Sequence, residues 1–160
     1  MSKIGFIGLG IIGLPMSKNL IKAGHNLVVL DLNKTAVEEL KKVGAEVGTT
    51  PKDMASKAKI IITMLPNSPH VKSVVLDENG VIEGAQKGSI VADMSSIAPL
   101  VSREVHDALA PKGIRFVDAP VSGGQPKAID GTLSIMVGGA KSDFDELEPI
   151  FKAMGTATLA

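Results

Sequence analysis

Residues 8–13 read Gly8-Leu9-Gly10-Ile11-Ile12-Gly13, and their surroundings constrain the fold more than any other feature. The apolar run Ile4–Gly8 precedes them with the character of a buried strand. The segment 11–23 follows with helical spacing, placing Ile12, Met16 and Leu20 on one face and Pro15 in the first turn. A chain passes this abruptly from a strand into a helix packed on the same sheet only where side chains are missing. Gly8 permits the tight turn, Gly10 keeps the backbone bare, and Gly13 lets the helix lie close to the sheet. A second strand, Leu27–Asp31, closes a unit of about 30 residues and ends in a carboxylate.

That combination is the G-x-G-x-x-G fingerprint of a dinucleotide-binding βαβ unit. The helix N-terminus offers free N–H groups and the positive end of its dipole to a pyrophosphate. Asp31 stands 18 positions after Gly13, near the spacing of about 20 expected for the acid that binds ribose hydroxyls. A carboxylate there also repels a 2′-phosphate, and Leu32 and Asn33 bring no arginine. NAD is therefore expected in preference to NADP, with Gly8, Leu9, Gly10, Ile11, Ile12, Gly13, Asp31 and Leu32 at the cofactor.

The rest of the chain continues the alternation. Asn33 is placed to cap a helix carrying Val37, Leu40 and Val43. Strands are expected at 45–47, 59–65, 89–94, 115–118 and 133–137, with helices at 51–56, 68–76 and 98–110. Residues 120–131 read as a Gly/Pro-rich loop with at most a short helix. A last helix follows Ser142, which Pro149 should kink or split, and 156–160 begin one more strand. Buried, non-alternating strands separated by helices predict a Rossmann-like, doubly wound α/β fold. Its sheet is mostly parallel with helices on both faces, in one domain over 1–160.

Composition narrows the function. Seventeen basic and 17 acidic residues leave no net field to attract nucleic acid or an anionic membrane. Four Phe and no Trp or Tyr offer no stacking platform. Without cysteine there is no disulfide, thiolate catalyst or zinc–sulfur site, which fits a reducing, cytoplasmic setting. His25, His70 and His106 lack metal-ligand spacing, so no metal is expected. Neither a phosphate-binding G-x-x-x-x-G-K-[ST] nor a G-x-S-x-G elbow occurs. The apolar run 4–16 is cut by glycines, too short to span a bilayer, and lacks the cleavage site of a signal peptide.

Open parallel sheets bind ligands beyond the carboxyl ends of their strands. Met64-Leu65-Pro66 and Asp93-Met94-Ser95-Ser96 lie at such ends, where they can line the two halves of a dinucleotide cleft; Ser95 or Ser96 can instead cap the next helix. Asp118-Ala119-Pro120-Val121-Ser122-Gly123-Gly124 follows another strand. Its serine hydroxyl and two unshielded glycine N–H groups suit a carboxylate or an oxyanion.

Together, the stretches Phe6–Gly10, Gly13–Leu20 and Asp118–Gly124 resemble the β-hydroxyacid dehydrogenase family, and the likeness runs over essentially all 160 residues. It implies that Met64, Leu65, Pro66 and Ser95 lie toward the ribose and nicotinamide, and that Ser122, Gly123 and Gly124 hold a substrate carboxylate. The stretches 64–71, 93–104 and 126–139 resemble most the members that reduce tartronate semialdehyde (2-hydroxy-3-oxopropionate) to glycerate with NADH. The alternatives are 3-hydroxyisobutyrate oxidation, reduction of glyoxylate or succinic semialdehyde, and an NAD-binding module without chemistry. Ile12 stands where the family has Met or Gln. The family's catalytic lysine and its helical catalytic and dimerisation domain would lie beyond Ala160. Negligible turnover by these residues alone is therefore expected, as is self-association through the face the helical domain covers.

Overall fold

The computed structural model describes residues 3–160. The chain runs β1 (Lys3–Ile7), α1 (Gly13–Lys22), β2 (Asn26–Leu30), α2 (Lys34–Lys41), β3 (Glu46–Val47), α3 (Pro51–Lys57), β4 (Ile60–Thr63), α4 (Ser68–Leu76) and α5 (Val81–Gly84). It continues through β5 (Ile90–Asp93), α6 (Pro99–Leu109), β6 (Arg115–Asp118), β7 (Val121–Ser122), α7 (Gly124–Asp130), β8 (Leu133–Val137), α8 (Lys141–Phe151) and β9 (Gly155–Leu159). The first six strands form one parallel sheet in the order β3-β2-β1-β4-β5-β6. This is the predicted doubly wound Rossmann-like fold.

Both sheet faces are buried, as the unbroken apolar strands require. In β4, Ile60 and Ile62 join a core with Met16, Leu20 and Leu40 of α1 and α2, while Ile61 points into a second core with Met54, Val71 and Val105 of α3, α4 and α6. Asn33 caps α2 as expected, its Oδ1 accepting from Thr35 N and Ala36 N. Among the described residues, no helix is long and apolar enough to cross a membrane.

Several expectations needed correction. Strands β8 and β9 do not extend the main sheet. They form a three-stranded sheet with β7, antiparallel between β7 and β8 and parallel between β8 and β9. The reason is legible in β8: Leu133, Ile135 and Val137 are buried, whereas Ser134 and Met136 are exposed. A strand of period two suits a sheet covered on one face, not the doubly covered parallel sheet. The loop 120–131 holds the short helix allowed for there, the seven-residue α7, but also β7, and neither β7 nor α5 was foreseen. Pro149 does not split α8, which runs through it to Phe151. Near a helix end the missing N–H removes one bond from a turn already short of partners. Neither Ser95 nor Ser96 caps α6, whose N-cap is Ala98.

Candidate dinucleotide site

The loops singled out in the sequence follow β1, β2, β4, β5 and β6, and all leave the parallel sheet at its carboxyl edge. In-register pairing aligns Ile7, Thr63, Asp93 and Asp118 across that edge.

The three glycines of the first loop meet different surroundings. Gly8 has a φ of +106°, and a Cβ on it would overlap the Met64 carbonyl oxygen. A Cβ on Gly13 would overlap the Gly8 carbonyl oxygen and stand 3.4 Å from the Phe6 ring. These two are tight because β1, α1 and the loop after β4 converge there. A Cβ on Gly10 would meet nothing within 4 Å. Gly10 therefore leaves space that the protein itself does not use, as a closely approaching phosphate requires. Among the described residues, the N–H groups of Gly10, Ile11, Ile12 and Gly13 find no backbone or side-chain acceptor. They stand at the N-terminus of α1, which has no side-chain cap. Ile11 is exposed, whereas the Leu9 side chain is buried in the core.

Asp31 does two things at once. Its Oδ2 accepts from Leu9 N at 2.6 Å and its Oδ1 from Asn33 N at 2.7 Å. The acid that suits a ribose thus also ties the end of β2 to the glycine loop. Leu9 N is consequently engaged with Asp31, not free for phosphate. Each carboxylate oxygen retains acceptor capacity for a ribose hydroxyl. Leu32, beside it, is fully exposed.

Across the loop lies Met64-Leu65-Pro66. Met64 N donates to Ile7 O at 2.9 Å, and Leu65 Cδ2 would lie 3.1 Å from a Cβ on Gly8, so this loop is seated on the glycine turn. Ser95 is fully buried, and its Oγ accepts from Leu65 N at 2.7 Å. The serine therefore fixes this backbone from behind. Asp93, placed by the sequence only at the strand end beside Ser95, has a larger part than its position suggests. It is fully buried, and its Oδ1 accepts from Thr63 Oγ1 at 2.8 Å and from Ser95 N at 3.2 Å. Its Oδ2 has no partner among the described residues. The available signal was a carboxylate ending an otherwise apolar strand.

Burial pushes the Asp93 carboxyl up to about 6 and the nearby Asp118 charge acts the same way, while hydrogen bonds from Ser95 and Thr63 oppose both. Unfolded, the group titrates near its ordinary value of about 4. Between those values the native chain holds more protons than the unfolded one, so stability falls as pH rises through the window. The loss should level off above pH 6 at about 3 kcal/mol. Asp93→Asn removes the titration. Denaturant unfolding from pH 4 to 8 should show a fall in the parent chain that the variant lacks, and parallel profiles would refute the assignment.

After β6, the antiparallel pairing of Ser122 with Ser134 sets the start of the last loop. Ser122 is exposed, and Gly123 and Gly124 have φ values of +133° and +71°. A Cβ on Gly123 would press on the methylene stem of Lys127, whereas one on Gly124 would meet only Pro126 at 3.8 Å. Two consecutive residues with positive φ present bare backbone that other residue types would strain. Among the described residues, no group of three His, Cys, Asp or Glu is arranged to hold a metal ion.

Over 155 residues the chain is 43% identical to an NAD-dependent L-serine dehydrogenase of Pseudomonas aeruginosa, covering 97% of this chain and 52% of that protein. It is 42% identical over 153 residues to a 2-hydroxy-3-oxopropionate reductase of Escherichia coli, covering 96% and 52%. A solved 3-hydroxyisobutyrate dehydrogenase of Mycobacterium tuberculosis with L-serine superposes with a TM-score of 0.93 at 34% identity, over 99% of this chain and 54% of that one. The chain spans about half the length of these relatives. The family described as the NAD binding domain of 6-phosphogluconate dehydrogenase matches residues 3–160. With its glycine turn, the acid at the end of β2 and its parallel sheet, the chain belongs to that family of NAD-binding domains.

Proposed function

We propose that this chain is the cofactor half of an NAD-dependent oxidoreductase that interconverts tartronate semialdehyde and glycerate. When bound, the nicotinamide would exchange a hydride with C3 of the substrate. The observation that carries the cofactor reading is the unused space over Gly10, bordered by free N–H groups and by Asp31. Gly8–Gly13 would hold the pyrophosphate, Asp31 and Leu32 the adenosine ribose, and Met64, Leu65 and Pro66 the wall of the cleft. Ser95 supports that wall from within. NAD is favoured over NADP because the Asp31 carboxylate accepts from ribose hydroxyls and opposes a 2′-phosphate.

The substrate class follows from a shared chemical unit. L-serine, 3-hydroxyisobutyrate and glycerate are all 3-hydroxypropionates substituted at C2; the relatives are named for the first two and for 2-hydroxy-3-oxopropionate, which is glycerate oxidised at C3. Ser122 and the bare backbone of Gly123 and Gly124 would hold the carboxylate they have in common. L-serine is the second reading, because it is named both for the Pseudomonas aeruginosa relative and for the Mycobacterium tuberculosis structure. The proton donor is assigned to the family lysine outside these 160 residues. Loss of such an acid costs about 10²–10⁴ in rate, so the 160 residues by themselves should turn over negligibly.

The test is a titration with NADH and NADPH followed by cofactor fluorescence, in a chain that has no tryptophan to interfere. Saturable NADH binding with weaker NADPH binding is expected. A folded chain that binds neither would overturn the cofactor reading. With NAD present, glycerate should shift the Ser122–Gly124 amide resonances more than L-serine does; the reverse order would favour the second reading. Asp31→Asn should weaken NADH binding by about tenfold to a hundredfold, the loss of one or two hydrogen bonds to a charged group. NADPH should suffer less, narrowing the preference. An unchanged ratio would remove Asp31 from the ribose.

A further inference from the structure

Four residues form a continuous chain of hydrogen bonds behind the cofactor wall. Thr63 Oγ1 donates to Asp93 Oδ1, Ser95 N donates to the same oxygen, and Leu65 N donates to Ser95 Oγ. Thr63 and Asp93 sit opposite each other in the β4–β5 register, and Thr63, Asp93 and Ser95 are all fully buried. The Leu65 end reaches the glycine turn. A buried carboxyl with one oxygen left unpartnered is costly for a fold to keep. An apolar residue would fill the end of β5 without that cost. Thr63, Asp93 and Ser95 are all fully buried, so the carboxyl's hydrogen bonds are directed inward, to Thr63 and Ser95.

We propose that Asp93 is a positioning residue for cofactor binding: it holds Ser95 so that the Ser95 hydroxyl fixes the Leu65 amide, and with it the Met64–Pro66 wall beside the glycine turn. Asp93 touches no cofactor atom in this scheme and acts only through Ser95. One oxygen accepting from both Thr63 and Ser95 locks the ends of β4 and β5 together. The Leu65 N–H, which would otherwise face the cleft unpaired, is satisfied from the protein side. The inference rests on the cofactor reading of the Met64–Pro66 loop, and its test separates the two.

The 160-residue chain and its Asp93→Ala, Asp93→Asn and Ser95→Ala variants would be compared in two measurements. The first is hydrogen exchange of the Leu65 amide without cofactor. The second is NADH affinity by fluorescence titration. Asp93→Ala should raise Leu65 exchange and weaken NADH binding by about tenfold, one hydrogen bond's worth. Asp93→Asn keeps an acceptor oxygen in the same place and should recover most of both losses. Ser95→Ala should reproduce the Asp93→Ala losses, and the Asp93→Ala/Ser95→Ala pair should be no weaker than the weaker single variant, because the two act in series. Fold-changes that multiply in the pair would overturn the inference, as would Leu65 protection unaltered by Asp93→Ala. Should Asp93→Ala fail to fold, Ser95→Ala alone decides, since Leu65 protection unaltered there overturns the scheme. If Leu65 protection falls while NADH affinity holds, the wall itself is misassigned, and the cofactor reading of Met64–Pro66 fails instead.

Discussion

Gly13→Ala is expected to destabilise the protein by about 4 kcal/mol, among the largest effects a single methyl group can produce. Helix propensity argues the other way, since Ala is preferred over Gly by about 1 kcal/mol inside a helix. The tertiary contact outweighs it. The added Cβ would overlap the Gly8 carbonyl oxygen, a backbone atom held by the strand-to-helix turn, with the Phe6 ring 3.4 Å away. Neither neighbour is the free end of a flexible side chain. Relief requires α1 to lift off β1, which would open the core around Phe6, Met16 and Leu20. Overpacking of that kind ordinarily costs about 1–3 kcal/mol, and a backbone-on-backbone overlap lies beyond that range. For a chain of this size the melting temperature should drop by about 10 °C or more. A drop under about 3 °C would show that the turn is softer than its geometry indicates.

Gly10→Ala should do the opposite. Its Cβ would enter open space, and Gly10 is not among the glycines with positive φ. Stability should therefore stay within about 0.5 kcal/mol, with a small gain possible from a less flexible unfolded chain. NADH affinity should fall by about a hundredfold, because the methyl group occupies the space into which the pyrophosphate would settle beside the free N–H groups. Thermal melts and NADH titrations of the two variants together separate the glycine that serves the fold from the glycine that serves the ligand. A Gly10→Ala variant that binds NADH normally would place the phosphates elsewhere.

Much of this was readable because each signal was local. The run Ile60-Ile61-Ile62 could only be a strand covered on both faces, and its residues do alternate between the two cores. Asn33 preceding an amphipathic segment marked a cap, and it caps. The β7–β8–β9 sheet was missed because Val121–Ser122 is too short to show a period, and because β8 was classed by its apolar content instead of its alternation. The family resemblance, not its position at a strand end, places Ser95 toward the cofactor. Its burial and its bond to Leu65 depend on how β4 and β5 align, which no local pattern encodes.

The sequence by itself determined the six strands of the parallel sheet and most of the helices between them, the glycine turn and the acid 18 positions beyond it. These rest on short-range spacing, where side-chain period, missing Cβ atoms and the reach of a single turn leave few solutions. Only the tertiary structure decided which atoms those residues use. It gave Leu9 N to Asp31, left the space over Gly10 empty, and buried Asp93 between Thr63 and Ser95. Such outcomes depend on strands brought together from positions 30 residues apart, and hydrogen bonds sensitive to tenths of an ångström form only once that packing is complete.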